Sequence, residues 1–357
     1  SVMASRSLTR DQDRLLTIAM APFMSCGARL TVYALFTAAF FPENGSLIVF
    51  ALYLIGIAIA VMTGWIFRKT LFSGQPSTSF QEMPAYHMPT IRNIFTTTWH
   101  RLSGFVKRAG STIIKVVTLL TVINSIGLDG SFGNQNSQNS LLSTAGKAMT
   151  PILAPIGVQE ENWPATVGVF TGIFAKEAVV GTLDVLYQDV AGEVQSADEA
   201  LDIPARIGEA FASIGDNILT LTENLGDPLG VAAVDDSAEE QGVSNTGVVA
   251  MKDLFGSGYS AFCYLILILL YTPCVAMMGA MNRESGPLWA SLVIGWSSFI
   301  AYWVASVMYQ LGNIVSNPVF ALSWLAGSLV AMLLAVRGLK YLGRNAKALP
   351  SNIIARA

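Results

Sequence analysis

Between Glu284 and Arg337 the chain runs for 52 residues without a charged side chain. A helix crosses the hydrocarbon core of a bilayer with roughly 20 apolar residues, so this run is long enough to cross twice. The turn-like Gly312-Asn313 and Asn317-Pro318 divide it into spans near 287–311 and 318–337. Residues 44–67 and 254–282 are also free of charge, 15–42 is interrupted only by Arg29, and 110–128 carries Lys115 near one end. Composition agrees: 52% of residues are apolar and 13% charged, about half the usual charged share, and the mean hydropathy is +0.51. Too few charges remain to cover a water-facing surface around so much apolar mass. A net charge of −3 excludes a generally basic nucleic-acid binder, three cysteines exclude a disulfide scaffold, and two histidines leave little for a histidine-rich metal centre. The expected fold is an all-α polytopic membrane bundle of about six transmembrane helices.

Lys and Arg set the orientation. The segment before the first span (Arg6, Arg10, Arg14), the linker 68–109 and the tail from Arg337 together hold 14 of the 21 basic residues. All three are expected on the cytoplasmic side, which six spans satisfy and seven do not. Residues 165–187 are long enough to cross but are broken by Lys176, Glu177 and Asp184. Parity therefore makes them a re-entrant or buried hairpin, because charged or irregular backbone at membrane depth survives only inside protein or beside a water-filled cavity. Segment 188–257 carries 14 acids and two bases and falls outside by the same count. Within it, 203–225 reads as an amphipathic helix opened by Pro204 and closed by Gly226, and 129–140 and 235–247 read as polar loops. This gives three regions: 1–128 with the basic linker, 129–257 with the hairpin and acidic helix, and 258–357 with the last three spans and the basic tail. The chain opens Ser1-Val2 without an initiator methionine, so its N-terminus is expected to be a truncation point.

Chemistry concentrates at two interrupted spans. In Pro22-Phe23-Met24-Ser25-Cys26-Gly27-Ala28-Arg29, Pro22 removes a helix hydrogen bond and Gly27 loosens the next turn. Carbonyls near Cys26 can then face a ligand, and Cys26 and Arg29, three apart, are expected on one face. An arginine within a span faces protein or a cavity. Tyr271-Thr272-Pro273-Cys274 repeats the pairing of a mid-span proline with a cysteine. Paired interruptions in two halves of a membrane protein point to a transport site, and a thiol pair suits a transition-metal cation. A packing cysteine in a proline-kinked helix accounts for each motif taken alone. Lys176 and Glu177 mark an ion path, a gate or a buried salt bridge. Cys263, one helix face but about 16 Å from Cys274, reads as core, and His87 and His100 read as surface residues. The chain has no H-E-x-x-H, G-x-S-x-G or G-x-x-x-x-G-K-[ST] motif, so no nucleotide site or enzymatic activity is expected of it.

PFMSCGARL at 22–30, GVFTGIFAKEAVVGTL at 168–183 and YTPCVAMMGAMNRES at 271–285 resemble the bacterial ferrous iron transport protein B family, as do Met83–Pro89 and Asn162–Thr166. The resemblance covers essentially the whole chain. It implies a polytopic permease with two gate segments like those of nucleoside transporters, in the bacterial inner membrane. It further implies Fe(II) as the transported ion, with Cys26 and Cys274 as metal-handling residues. Pro22, Ser25, Gly27, Arg29, Lys176, Glu177 and Pro273 then belong to the path or gate. GTP and magnesium would act only through a GTPase domain upstream of Ser1, together with the first spans and a further cysteine motif. Small cytoplasmic partner proteins of the iron system and a homo-oligomer are the partners implied. Two other readings stay open: a non-transporting scaffold or receptor whose cysteines only pack, and an organic-solute carrier of the nucleoside type.

Overall fold

A computed structural model describes residues 2–8, 10–72, 88, 90–127, 140–174, 176, 179–192 and 244–346. Glu177, His87, the linker motif before Met88, the acidic helix at 203–225 and the polar loop 129–139 lie outside the described residues. Every regular element among the described residues is helical, with one isolated bridge joining Gly127 and Ser140. The α-helices are α1 (Asp11–Met20), α2 (Gly27–Phe40), α3 (Gly45–Thr70), α4 (Ile91–Ser125), α5 (Leu141–Leu153), α6 (Trp163–Phe174), α7 (Val179–Val190), α8 (Asn245–Phe255), α9 (Gly258–Leu270), α10 (Val275–Gly312) and α11 (Pro318–Ala346).

Four stretches are long and apolar enough to cross a bilayer: Asp11–Phe40, Gly45–Thr70, Gly258–Gly312 and Pro318–Arg344. The third is 55 residues long, length for two crossings, and its backbone turns at Gly286, where φ is +79°. Pro287 follows, fixing the turn. The two legs lie antiparallel: Tyr259 donates its hydroxyl to the Met308 carbonyl, and Thr272 and Ser298 share a hydroxyl hydrogen bond. Shorter apolar helices are Ile113–Ser125 and Trp163–Phe174. The all-α polytopic architecture expected from the sequence is the one present.

Residues 165–187 form a hairpin, not one helix. A Cβ on Gly168 would meet Leu183 and one on Gly172 would meet Val179, while Tyr187 donates to Asn162 Oδ1 at 2.7 Å. These pairings run antiparallel, with Lys176 at the tip. Glycine and alanine on α6 allow that approach. The Asp184 carboxylate fixes the return leg by accepting from both the backbone N–H and the hydroxyl of Ser244, which itself caps α8. The core between hairpin and bundle is aromatic: Phe36, Phe255 and Tyr264 lie within 5.6 Å centroid to centroid, and Tyr264 donates to the Ala165 carbonyl. Cys263 is fully buried in this core, as a packing residue would be.

Candidate functional site: two interrupted helices around Lys176

The first interruption begins at Pro22 but opens one turn later. Ala21–Phe23 stays wound as a 3-10 turn, which tolerates proline in its first positions. The backbone then extends at Met24 (φ −75°, ψ 132°) and Cys26 (φ −125°, ψ 159°) before α2 starts at Gly27. The second interruption follows from Pro273, which has no N–H and forces the preceding residue out of the helical region. Tyr271 is extended (ψ 179°), and α10 starts after Cys274 (φ −61°, ψ 157°). Cys26 and Cys274 therefore hold the same position, the residue that caps the N-terminus of a resumed helix. Neither side chain makes a capping hydrogen bond, leaving each sulfur available. Helix N-termini favour negative charge.

Both interruptions sit at mid-span. A Cβ on Gly56, near the midpoint of α3, would lie 2.8 Å from the Phe23 carbonyl oxygen and 3.6 Å from Leu269 Cδ1. Gly56 is thus where the first interruption, α3 and the end of α9 come together. Thr272 is bonded to Ser298, near the midpoint of the returning leg 287–312. The tip of the hairpin reaches the same depth. Lys176 is only 3% exposed, and its Nζ lies 4.5 Å from the centroid of the Tyr271 ring. Among the described residues that amino group makes no hydrogen bond, nor does the buried Tyr271 hydroxyl. Cys26, Cys274 and Arg29 all lie within electrostatic reach of Lys176.

Arg29 departs from the sequence expectation. It is buried, as an intramembrane arginine must be, whereas Cys26, which is extended rather than helical, is exposed. The Arg29 side chain turns back to the interruption. The guanidinium donates to the Pro22 carbonyl at 2.9 Å and the Met24 carbonyl at 3.1 Å. The Cys26 carbonyl accepts from the Arg29 backbone N–H at 2.9 Å. Carbonyls freed by the first interruption are therefore largely occupied by Arg29 instead of facing a ligand. Ser25 donates its hydroxyl to Tyr33 at 3.4 Å, Pro22 and Pro273 are buried, and open space surrounds the position of a Cβ on Gly27.

The centre so assembled holds two basic side chains, two helix N-termini and two thiols. No group of three or more His, Cys, Asp or Glu side chains is present among the described residues, so the thiols alone do not enclose a metal ion. Sequence reasoning did not single out Tyr271, Gly56 or Thr272. Tyr271 and Thr272 lie in the stretch Tyr271-Thr272-Pro273-Cys274, read there for its proline and cysteine alone; Gly56 carried no signal without the pairing of α3.

Comparison with known proteins follows this geometry closely. A family model described as the ferrous iron transport protein B C terminus matches residues 49–101, and one described as Gate, nucleoside recognition, matches 106–288. Similar curated proteins include the Fe(2+) transporter FeoB of Salmonella typhi, 43% identical over 330 residues, and that of Escherichia coli strain K12, 42% identical over 326. That of Shigella flexneri is 41% identical over 326 residues. Each alignment covers 90% of this chain and 41% of the relative, so the chain spans about two fifths of the length of these relatives. No solved structure matches. With a gate model over half its length and this likeness throughout, the chain belongs to the ferrous iron transport protein B family, to whose C-terminal membrane region it corresponds.

Proposed function

We propose that the chain forms the permeation part of a ferrous iron importer, with Fe(II) passing inward between the two interrupted helices. The observation that carries this reading is the approach of two thiol-bearing helix N-caps to one buried lysine at mid-span, Lys176, whose amino group has no hydrogen-bond partner among the described residues. Cys26 and Cys274 offer sulfur ligands to the passing ion. Glu177, next in sequence to Lys176, supplies a carboxylate or a gating ion pair. Lys176 itself acts as the gate, since an ammonium and a divalent cation repel at close range and cannot share the centre. Arg29 holds the first interruption open by occupying its carbonyls. The protein lies in the bacterial inner membrane with its N-terminal segment, the linker 68–109 and the C-terminal tail in the cytoplasm. GTP dependence, magnesium, small cytoplasmic partner proteins and a homo-oligomer belong to the same proposal and enter through the family.

A second reading is favoured by the sign of the centre. Arg29, Lys176 and two helix N-termini suit an anion or a polar organic solute, and a nucleoside-recognition model matches 106–288. Anaerobic uptake of radioactive iron, in cells lacking other Fe(II) importers and expressing the complete coding sequence, separates the two. The iron reading expects uptake that Mn(II) or Zn(II) reduces and nucleosides do not. Absence of iron uptake, or competition by nucleosides instead, contradicts it.

A further inference from the structure

Helix α4 changes character along its length. From Ile113 to Ile123 apolar residues occur on every side of the helix, as a lipid-spanning segment requires. Nearer its N-terminus they keep to one side. Ile91, Ile94, Phe95, Trp99, Leu102 and Val106 follow at steps of three, one, four, three and four, the spacing of a single helix face. At 3.6 residues per turn, Arg92 and Arg101 border the stripe on its two sides and His100 falls opposite it. Nothing among the described residues covers the apolar stripe: Ile91 is 85% exposed, Phe95 69% and Trp99 60%.

Length excludes the simplest explanation, that the whole helix is immersed. Its 35 residues extend about 52 Å, whereas the hydrocarbon core is about 30 Å thick. Residues 106–125 alone reach about 30 Å, so 91–103 lie outside the core. An apolar stripe there needs a cover, and charge indicates which. Residues 91–103 contain two bases, Arg92 and Arg101, and no Asp or Glu. A surface of uniform negative charge matches that better than the mixed charge of a protein face. A helix with one aromatic, aliphatic face bordered by basic residues and free of acids is the pattern that lies in the headgroup plane of an anionic leaflet. Helix α4 is continuous through Ser103-Gly104 in the structure; a glycine and serine pair is a usual site of sharp kinks, so the bend that an interfacial segment requires is assigned there.

We propose that residues 91–103 of α4 are an interfacial anchor, lying on an anionic phospholipid leaflet with Ile91, Ile94, Phe95, Trp99 and Leu102 toward the acyl chains. The anchor bends at Ser103-Gly104 into the span. It is independent of what the permease carries.

The test is fluorescence quenching of Trp99 by brominated acyl chains in the full protein, reconstituted into vesicles. Subtracting the emission of W99F, a change at an exposed position, isolates Trp99 from the other six tryptophans. The vesicles are phosphatidylcholine alone or phosphatidylcholine with phosphatidylglycerol. The expected result is Trp99 quenching several-fold stronger in the phosphatidylglycerol vesicles and relieved by high salt or by the pair R92E and R101E. Equal quenching in both vesicles, insensitive to salt, overturns the proposal, because apolar burial alone then holds the helix. Absence of quenching in either vesicle also overturns it, since the stripe then faces water or protein. Should the charge-reversed protein fail to fold, the salt series on the native protein decides the same point.

Discussion

Arg29 is the residue on which the first interruption depends. Its guanidinium donates to the Pro22 and Met24 carbonyls, groups the broken helix cannot satisfy. Hydrogen bonds from charged donors contribute about 1.5–3 kcal/mol each. Arg29→Met is expected to lower the thermal midpoint of the purified protein in detergent by several degrees, with Arg29→Lys intermediate; an unchanged midpoint for R29M contradicts the assignment. The burial of Arg29 was legible in the sequence, because a charge within an apolar span has few places to go. That its guanidinium turns back to the Pro22 and Met24 carbonyls was not, because this depends on where the backbone leaves the helix. Lys176 is the opposite case. Buried against the Tyr271 ring and without a hydrogen bond among the described residues, it is costly to the fold, since burying a polar group without a hydrogen-bond partner destabilises. Lys176→Met is expected to leave the thermal midpoint equal or higher while changing iron uptake several-fold at matched expression. Lower stability together with unchanged uptake would make Lys176 structural and remove it from the gate.

At the scale of elements, the two interruptions work as a pair because α3 lets them approach. Gly56 has no side chain where the Phe23 carbonyl and Leu269 meet it. Gly56→Ala places a methyl 2.8 Å from a backbone oxygen, and overpacking of this kind costs about 1–3 kcal/mol. Loss of stability in Gly56→Ala, set against no change in Gly279→Ala, where a Cβ meets open space, is the expected outcome of thermal unfolding. Equal behaviour of the two variants contradicts the close approach. The hairpin of α6 and α7 was legible from charge counting alone, since a seventh crossing would have put the basic tail outside. That its tip carries Lys176 to Tyr271 was not, because the sequence gives no register between elements so far apart. The shift of the first interruption from Pro22 to Met24–Cys26 was also hidden: proline at the start of a tight turn is compatible with local geometry and moves the break downstream.

The whole molecule is an array of helical hairpins brought together at mid-span, and its ends are tied to that array. Arg6, ahead of α1, pairs with Glu284 beside the Gly286 turn, at 2.8 Å and 2.5 Å. The arginine is largely exposed and the glutamate buried, so the pair is expected to contribute about 1 kcal/mol. A double-mutant cycle on Arg6→Ala and Glu284→Ala, read by thermal unfolding, is expected to give a coupling of that size; strict additivity contradicts it. The general architecture was readable because a bilayer imposes its thickness on every element. The centre was only partly readable: both proline–cysteine motifs stand out in the sequence, while their meeting point depends on helix pairing.

The measurement that tests the account most directly is anaerobic radioactive iron uptake by the complete protein, native or carrying Cys26→Ser and Cys274→Ser, at matched membrane expression. The account predicts uptake by the native protein and its loss, by at least tenfold, in the double variant, a factor that corresponds to about 1.4 kcal/mol. Undiminished uptake with both thiols removed would contradict a path lined by the two interrupted helices' N-caps.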